Sequence, residues 1–267
     1  MKPFHFRTVI ALSVVMAPAG LRAQATADQA QLEFTIGLGQ TSGGGQLWQV
    51  SHQPFIPDPA SIDTLAVGRS FRRTINVSFS GTYFPGNHLG FIGEAQLLGL
   101  GTADECAVRF TLGAGKTTDL CRSIDRAERN ATSVAVSGGA VYRIGSHQAV
   151  HPYLRVGGGV VVTQQSFLRM HGEIPAAGGP SDLTLFKDDQ NTTVKPFGLF
   201  GGGVVAVAAK GVQFRFEVRD NWIRVPAVTG PTIQQGLAPP SRLVSKHLLS
   251  FMVGFDIVLE RKRGRRY

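Results

Sequence analysis

Eight stretches of this chain alternate apolar and polar residues at a period of two, and the connections between them alternate strictly between long and short. The stretches are Gln31 to Gly39, Thr74 to Phe84, Leu89 to Leu100, Asn130 to Tyr142, Val150 to Gln164, Thr192 to Ala209, Val212 to Ile223 and His247 to Leu259. The connections run to about 34, 4, 29, 7, 27, 2 and 23 residues. A period of two is the mark of a strand with two unlike faces. Tight turns at one end and long connections at the other are the layout of an all-β, eight-stranded, antiparallel up-and-down transmembrane barrel.

Alternation is cleanest in Val212-Gln213-Phe214-Arg215-Phe216-Glu217-Val218-Arg219. Ile75, Val77, Phe79 and Tyr83 share a face in the second segment, and Leu249, Phe251, Val253, Phe255, Ile257 and Leu259 share one in the last. Alternation does not say which face is inside, because a soluble ligand-binding barrel alternates too. The content of the polar face decides. It mixes glycine and serine with full charges, whereas the apolar face is aromatic and aliphatic. Eight strands enclose a lumen only wide enough to be filled by side chains. The charged set is therefore predicted to pack within it as an ion-pair cluster, with Arg155, Arg215 and Arg219 opposed by Glu33, Glu94, Glu217 and Asp256. Tyr83, Phe84, Phe91 and Tyr142 fall near the short turns, and Phe197 and Trp222 near the long connections, where the two aromatic girdles of a membrane barrel sit. Pro85-Gly86-Asn87-His88 and Lys210-Gly211 suit tight hairpins. Residues 166–191 and 226–245, rich in Pro, Gly and Ser, read as mobile external loops.

The first residues carry an export pattern: Lys2 and Arg7, an apolar run Val9 to Met16, and the small-x-small site Ala23-Gln24-Ala25. The expected organisation is a signal peptide over 1–25, a barrel over 26–260 and a basic tail over 261–267. The net charge of +9 invites a nucleic-acid reading, but its location argues against one. Setting aside Lys2, Arg7 and Arg22, and the acid-free Arg261, Lys262, Arg263, Arg265 and Arg266, leaves a body of charge +1. The longest apolar stretch beyond the signal, Gly201 to Ala209, falls far short of the roughly 20 residues of a transmembrane helix. Entry into a membrane would thus be by strands. Cys106 and Cys121, an even pair in the second long connection of an exported chain, are expected to form a disulfide.

Candidate chemistry is sparse. Gly113-Ala114-Gly115-Lys116-Thr117 looks like the end of a phosphate loop, but Phe110 stands where that motif needs glycine. His147 and His151 have metal spacing only on a helix, and here they enter a strand. His88, His171 and His247 show no Ser or carboxylate constellation in sequence order. No cofactor, metal or enzymatic activity is expected. A lipid-modifying enzyme would need a histidine with a serine or an acid at the membrane interface.

With its alternating final strand Phe255-Asp256-Ile257-Val258-Leu259, the region Leu32 to Leu259 resembles the small eight-stranded outer-membrane barrels of the OmpA, OmpX and OmpW type. That resemblance implies a place in the cell outer membrane, partners among membrane lipid and the outer-membrane assembly machinery, and an unidentified surface ligand on four external loops. It implies a non-enzymatic role in surface interaction or envelope integrity. The alternative is a narrow barrel passing small or apolar solutes.

Overall fold

The computed structural model describes residues 30–260 except 44, 59–60, 112–114, 130, 146–147, 177–178 and 189–192. The signal peptide and basic tail read from sequence lie outside the described residues, as does His147. The elements are β1 (Gln31–Thr41), β2 (Gly45–Asp58), β3 (Ser61–Phe71), β4 (Thr74–Phe84), β5 (Leu89–Gly99), β6 (Thr102–Phe110), α1 (Lys116–Asp125), β7 (Glu128–Arg129), β8 (Thr132–Arg143), β9 (Val150–Thr163), β10 (Met170–Ala176), β11 (Gly179–Phe186), β12 (Thr193–Ala209), β13 (Val212–Val228) and β14 (Ser241–Glu260).

Eight of these close into an antiparallel barrel in the order β1-β14-β13-β12-β9-β8-β5-β4, so every strand but the closing pair neighbours its barrel predecessor. Closure is made by β1 against β14, from Gln31 opposite Glu260 to Thr41 opposite Ser250. The β12–β13 hairpin turns through Lys210 and Gly211, and Gly211 takes φ +78°, open to glycine at little cost. Elsewhere glycine lets strands approach: a Cβ on Gly203 would stand 1.9 Å from the Phe216 carbonyl oxygen of β13.

The long connections differ from the sequence reading, which makes them loops. The first two build a four-stranded sheet, β2-β3-β6-β7, with α1 attached, and the third builds the β10–β11 hairpin. In the fourth, β13 runs on to Val228 and β14 starts at Ser241, in register from Pro226 opposite Leu243 to Val228 opposite Ser241. Their inner side chains explain the extension: Val225 and Ala227 are buried, so the ladder continues for as long as it has apolar surface to cover. Cys106 of β6 and Cys121 of α1 are disulfide-bonded, pinning helix to sheet.

These pieces form a cap packed on the barrel's long-connection end. Leu98, Leu100, Val161, Leu199, Ile223 and Leu248 of the wall share one core with Trp48, Phe71, Leu120, Phe167, Met170 and Phe186 of the cap. Trp48 Nε1 donates to the Phe167 carbonyl at 3.0 Å. Arg69, fully buried, donates through Nε and Nη2 to Asp104 Oδ1 and Oδ2 at 2.5 and 2.9 Å, and Nη2 also reaches the Arg169 carbonyl at 2.7 Å. Gln53 of β2 and Thr232 of the β13–β14 connection exchange hydrogen bonds through backbone and side chain.

Candidate functional site

The two faces of the wall settle its orientation. Phe214 and Phe216 are 44% and 49% exposed, while Arg215 and Glu217 between them are 4% and 3%. The same inversion holds on β1, where Phe34, Ile36 and Leu38 face out and Glu33 and Thr35 face in, and on β14, where Phe251, Val253 and Phe255 face out and Ser250 and Asp256 face in. From Leu249 to Leu259 the outer face of β14 is apolar at every second position, a run matching the roughly 9–11 residues with which a tilted strand crosses a bilayer. Only lipid makes so large an apolar exterior stable around an interior of charges. The chain is a transmembrane β-barrel.

Neither a protein-family model nor a curated protein matches it. Among solved structures it is similar to the outer membrane protein OprG from Pseudomonas aeruginosa, at 11% identity over 88% of this chain and 98% of that one, with a TM-score of 0.45. It is similar to Neisserial surface protein A at 10% identity over 87% and 99%, TM-score 0.36, and to Ail, the attachment invasion locus protein of Yersinia pestis, at 13% identity over 86% and 99%, TM-score 0.35.

The lumen is layered. Nearest the short turns, Phe84, Ile92, Val141, Tyr153 and Val205 form a small apolar cluster. Around it, Arg143 pairs with Glu33, and Arg215 donates through Nε and Nη2 to Asp256 Oδ2 at 3.0 and 2.9 Å, with Nη2 3.5 Å from Glu33. The next layer joins Arg155 to Glu94 at 3.1 Å and Glu217 at 3.4 Å, and Arg219 to Glu94 at 3.0 Å and Glu217 at 2.8 Å. Tyr153 donates its hydroxyl proton to Glu217 at 2.6 Å. Above lies a neutral layer, with Asn76 and Asn221 both donating to Ser250 Oγ, at 3.1 and 2.8 Å. Beyond it begins the apolar core shared with the cap.

All seven residues assigned to the lumen cluster by sequence thus meet there. Arg143 completes the set, so that four guanidinium groups face four carboxylates. Sequence reasoning misses it because the fourth segment is closed one residue early, at Tyr142; one more step of the same alternation would have turned Arg143 inward. A void of about 10 Å3 in this layer is bordered by Thr35, Ser78, Glu94, Arg155, Arg215, Glu217 and Met252, room for about one water.

Two of the girdle assignments are corrected. Phe84 and Phe197 point inward and are buried. Phe84 follows Tyr83, and neighbouring residues of a strand cannot face the same way; Phe84 lies instead beneath the Arg143 guanidinium, 3.2 Å from its ring centre. Phe197 shares parity with Leu199 and joins the apolar core. Tyr83, Phe91 and Tyr142 are outward and exposed near the short turns, and Trp222 is outward on β13 near the other end.

The cap presents a cleft of about 420 Å3 between α1 and the β10–β11 hairpin, lined by Asp119, Arg122, Arg126, Glu173, Ile174 and Pro175. Its charges are mixed in sign, which suits a polar partner rather than an apolar one.

Proposed function

We propose that the protein is an integral barrel of the cell outer membrane that holds a folded cap on the external side, and that the cap carries a role in surface interaction or envelope integrity. The observation that carries this reading is the inverted polarity of the wall, charges enclosed and hydrocarbon outside, together with a cap that shares the barrel's core. An even number of strands returns both ends of the barrel to the short-turn side, and the short turns of outer-membrane barrels are periplasmic, which supports an external cap. The export pattern at the start of the chain agrees.

The alternative, passage of small or apolar solutes along the lumen, finds less support. A solute would have to part a network of four guanidinium groups and four carboxylates and the apolar core above it, and leaving even one such buried charge without its partner costs about 3–5 kcal/mol. Fractionation of cells, with heat-modifiable migration of the membrane-bound protein on a detergent gel, tests the reading. Mature protein in the soluble fraction refutes it, and steady conductance in a planar bilayer would put the transport alternative in its place.

A further inference from the structure

Above the lipid-facing belt β13 and β14 run on toward the cap, and their outer faces become polar. Register sets Asp220 opposite Leu249, Trp222 opposite His247, and Arg224 opposite Ser245. His247 and Ser245 are two residues apart on β14, so both project from the outer face. Asp220 lies one diagonal step from His247 toward the belt, with its Oδ2 2.7 Å from Nδ1 of the imidazole. Ser245 stands on the other side of His247 along the same strand. The order along the wall is therefore carboxylate, imidazole, hydroxyl. With Nδ1 held by Asp220, Nε2 is directed away from the carboxylate. Arg224 is the cross-strand neighbour of Ser245, and its guanidinium lies over the Trp222 ring, 5.4 Å from its centre.

Stability does not account for this group. The His247 side chain is 67% exposed and Asp220 36%, and an exposed pair of this kind contributes little to stability. Acyl transfer uses the same three group types in the same order: a hydroxyl nucleophile, an imidazole to take its proton, and a carboxylate to fix the ring. Ser245 and His247 are neighbours without a hydrogen bond, as nucleophile and base commonly are before substrate is seated.

We propose that Ser245, His247 and Asp220 form an acyl-transfer site on the outside of the barrel, acting on ester-linked acyl lipid of the surrounding leaflet. Its place selects the substrate: Leu249, the last residue of the lipid-facing run, is two residues from His247, and ester carbonyls of membrane lipids lie where hydrocarbon gives way to headgroups. His247 Nε2 takes the Ser245 hydroxyl proton as Oγ attacks the ester carbonyl carbon. The ester C–O bond breaks, and the leaving alcohol receives that proton. Water, deprotonated by the same nitrogen, then attacks the acyl-serine carbonyl; the Oγ–acyl bond breaks, the imidazolium returns its proton to Ser245 Oγ, and the fatty acid leaves. Asp220 positions the imidazole and stabilises its cation. The proposal concerns the outer rim and stands or falls separately from the role given to the cap.

The test uses the full chain folded in dodecyl maltoside micelles. A fluorophosphonate probe should label the protein at Ser245, located by peptide mass spectrometry, and phosphatidylethanolamine with labelled acyl chains should release fatty acid. Ser245→Ala should abolish both, and His247→Asn should lower turnover about 10²- to 10⁴-fold. Asp220→Asn should lower kcat while leaving KM for the lipid unchanged, a split that a merely structural role would not produce. Heat-modifiable migration of each variant verifies folding. Absence of labelling in the folded wild type, or labelling that survives Ser245→Ala, overturns the site. Hydrolysis of p-nitrophenyl butyrate without hydrolysis of the lipid overturns the substrate assignment.

Discussion

Glu94→Gln removes one charge from the lumen while keeping its shape. The Glu94 carboxylate accepts from Nη1 of Arg155 at 3.1 Å and Nη1 of Arg219 at 3.0 Å, and the residue is 4% exposed. Without it four guanidinium groups face three carboxylates, with room for about one water to solvate the excess. Breaking a buried pair by removing one partner costs about 3–5 kcal/mol. Both arginines keep Glu217, at 3.4 and 2.8 Å, so the lower end is expected, about 3 kcal/mol. With a urea dependence of about 2 kcal/mol/M, the unfolding midpoint should fall by about 1.5 M. Urea titration in lipid vesicles, followed by tryptophan fluorescence and by gel migration, reads it. Trp48 reports the cap and Trp222 the wall. Adding Arg219→Met restores the balance of charge, and the double variant should be more stable than Glu94→Gln alone. A loss below about 0.5 kcal/mol, or a double variant less stable than either single one, would refute the reasoning, because it would mean that these charges are solvated.

Other expectations follow from the same geometry. Phe216→Arg sets a cation on the lipid face and should destabilise the barrel by about 2–4 kcal/mol if Phe216 lies near the midplane, measured by the same titration. Replacing Cys106 and Cys121 by serine opens a loop of sequence separation 15, and should cost the cap about 3 kcal/mol. Trypsin should then cut near α1 while the barrel keeps its heat-modifiable migration. Gly203→Val drives a side chain into the Phe216 carbonyl of the next strand and should sharply lower the folded fraction recovered in membranes.

The eight barrel strands were legible because lipid outside and charge inside demand opposite chemistry on successive residues, and a period of two survives in the sequence whatever the partner strand. The lumen cluster was legible for the same reason, apart from Arg143 at a segment's end. Phe84 and Phe197 were misplaced because nearness to a turn was weighed above parity. The cap was not legible: β2, β3 and β10 break their alternation with bulges, prolines and glycines, and they read as loops. Nor could sequence order bring Asp220 to His247, since that meeting depends on a diagonal across two strands whose register is set by the Lys210-Gly211 turn and by the 12 residues, 229–240, that join β13 to β14.

Sequence alone determined the barrel, its strand number and the sense of its faces, because these are local consequences of the solvent each residue meets. Tertiary structure alone decided the pairing of charges in the lumen, the packing of the cap into a core shared with the wall, and the meeting of Asp220 with His247 at the rim. Those depend on register and closure, which place residues distant in sequence side by side and leave no periodic trace in the chain.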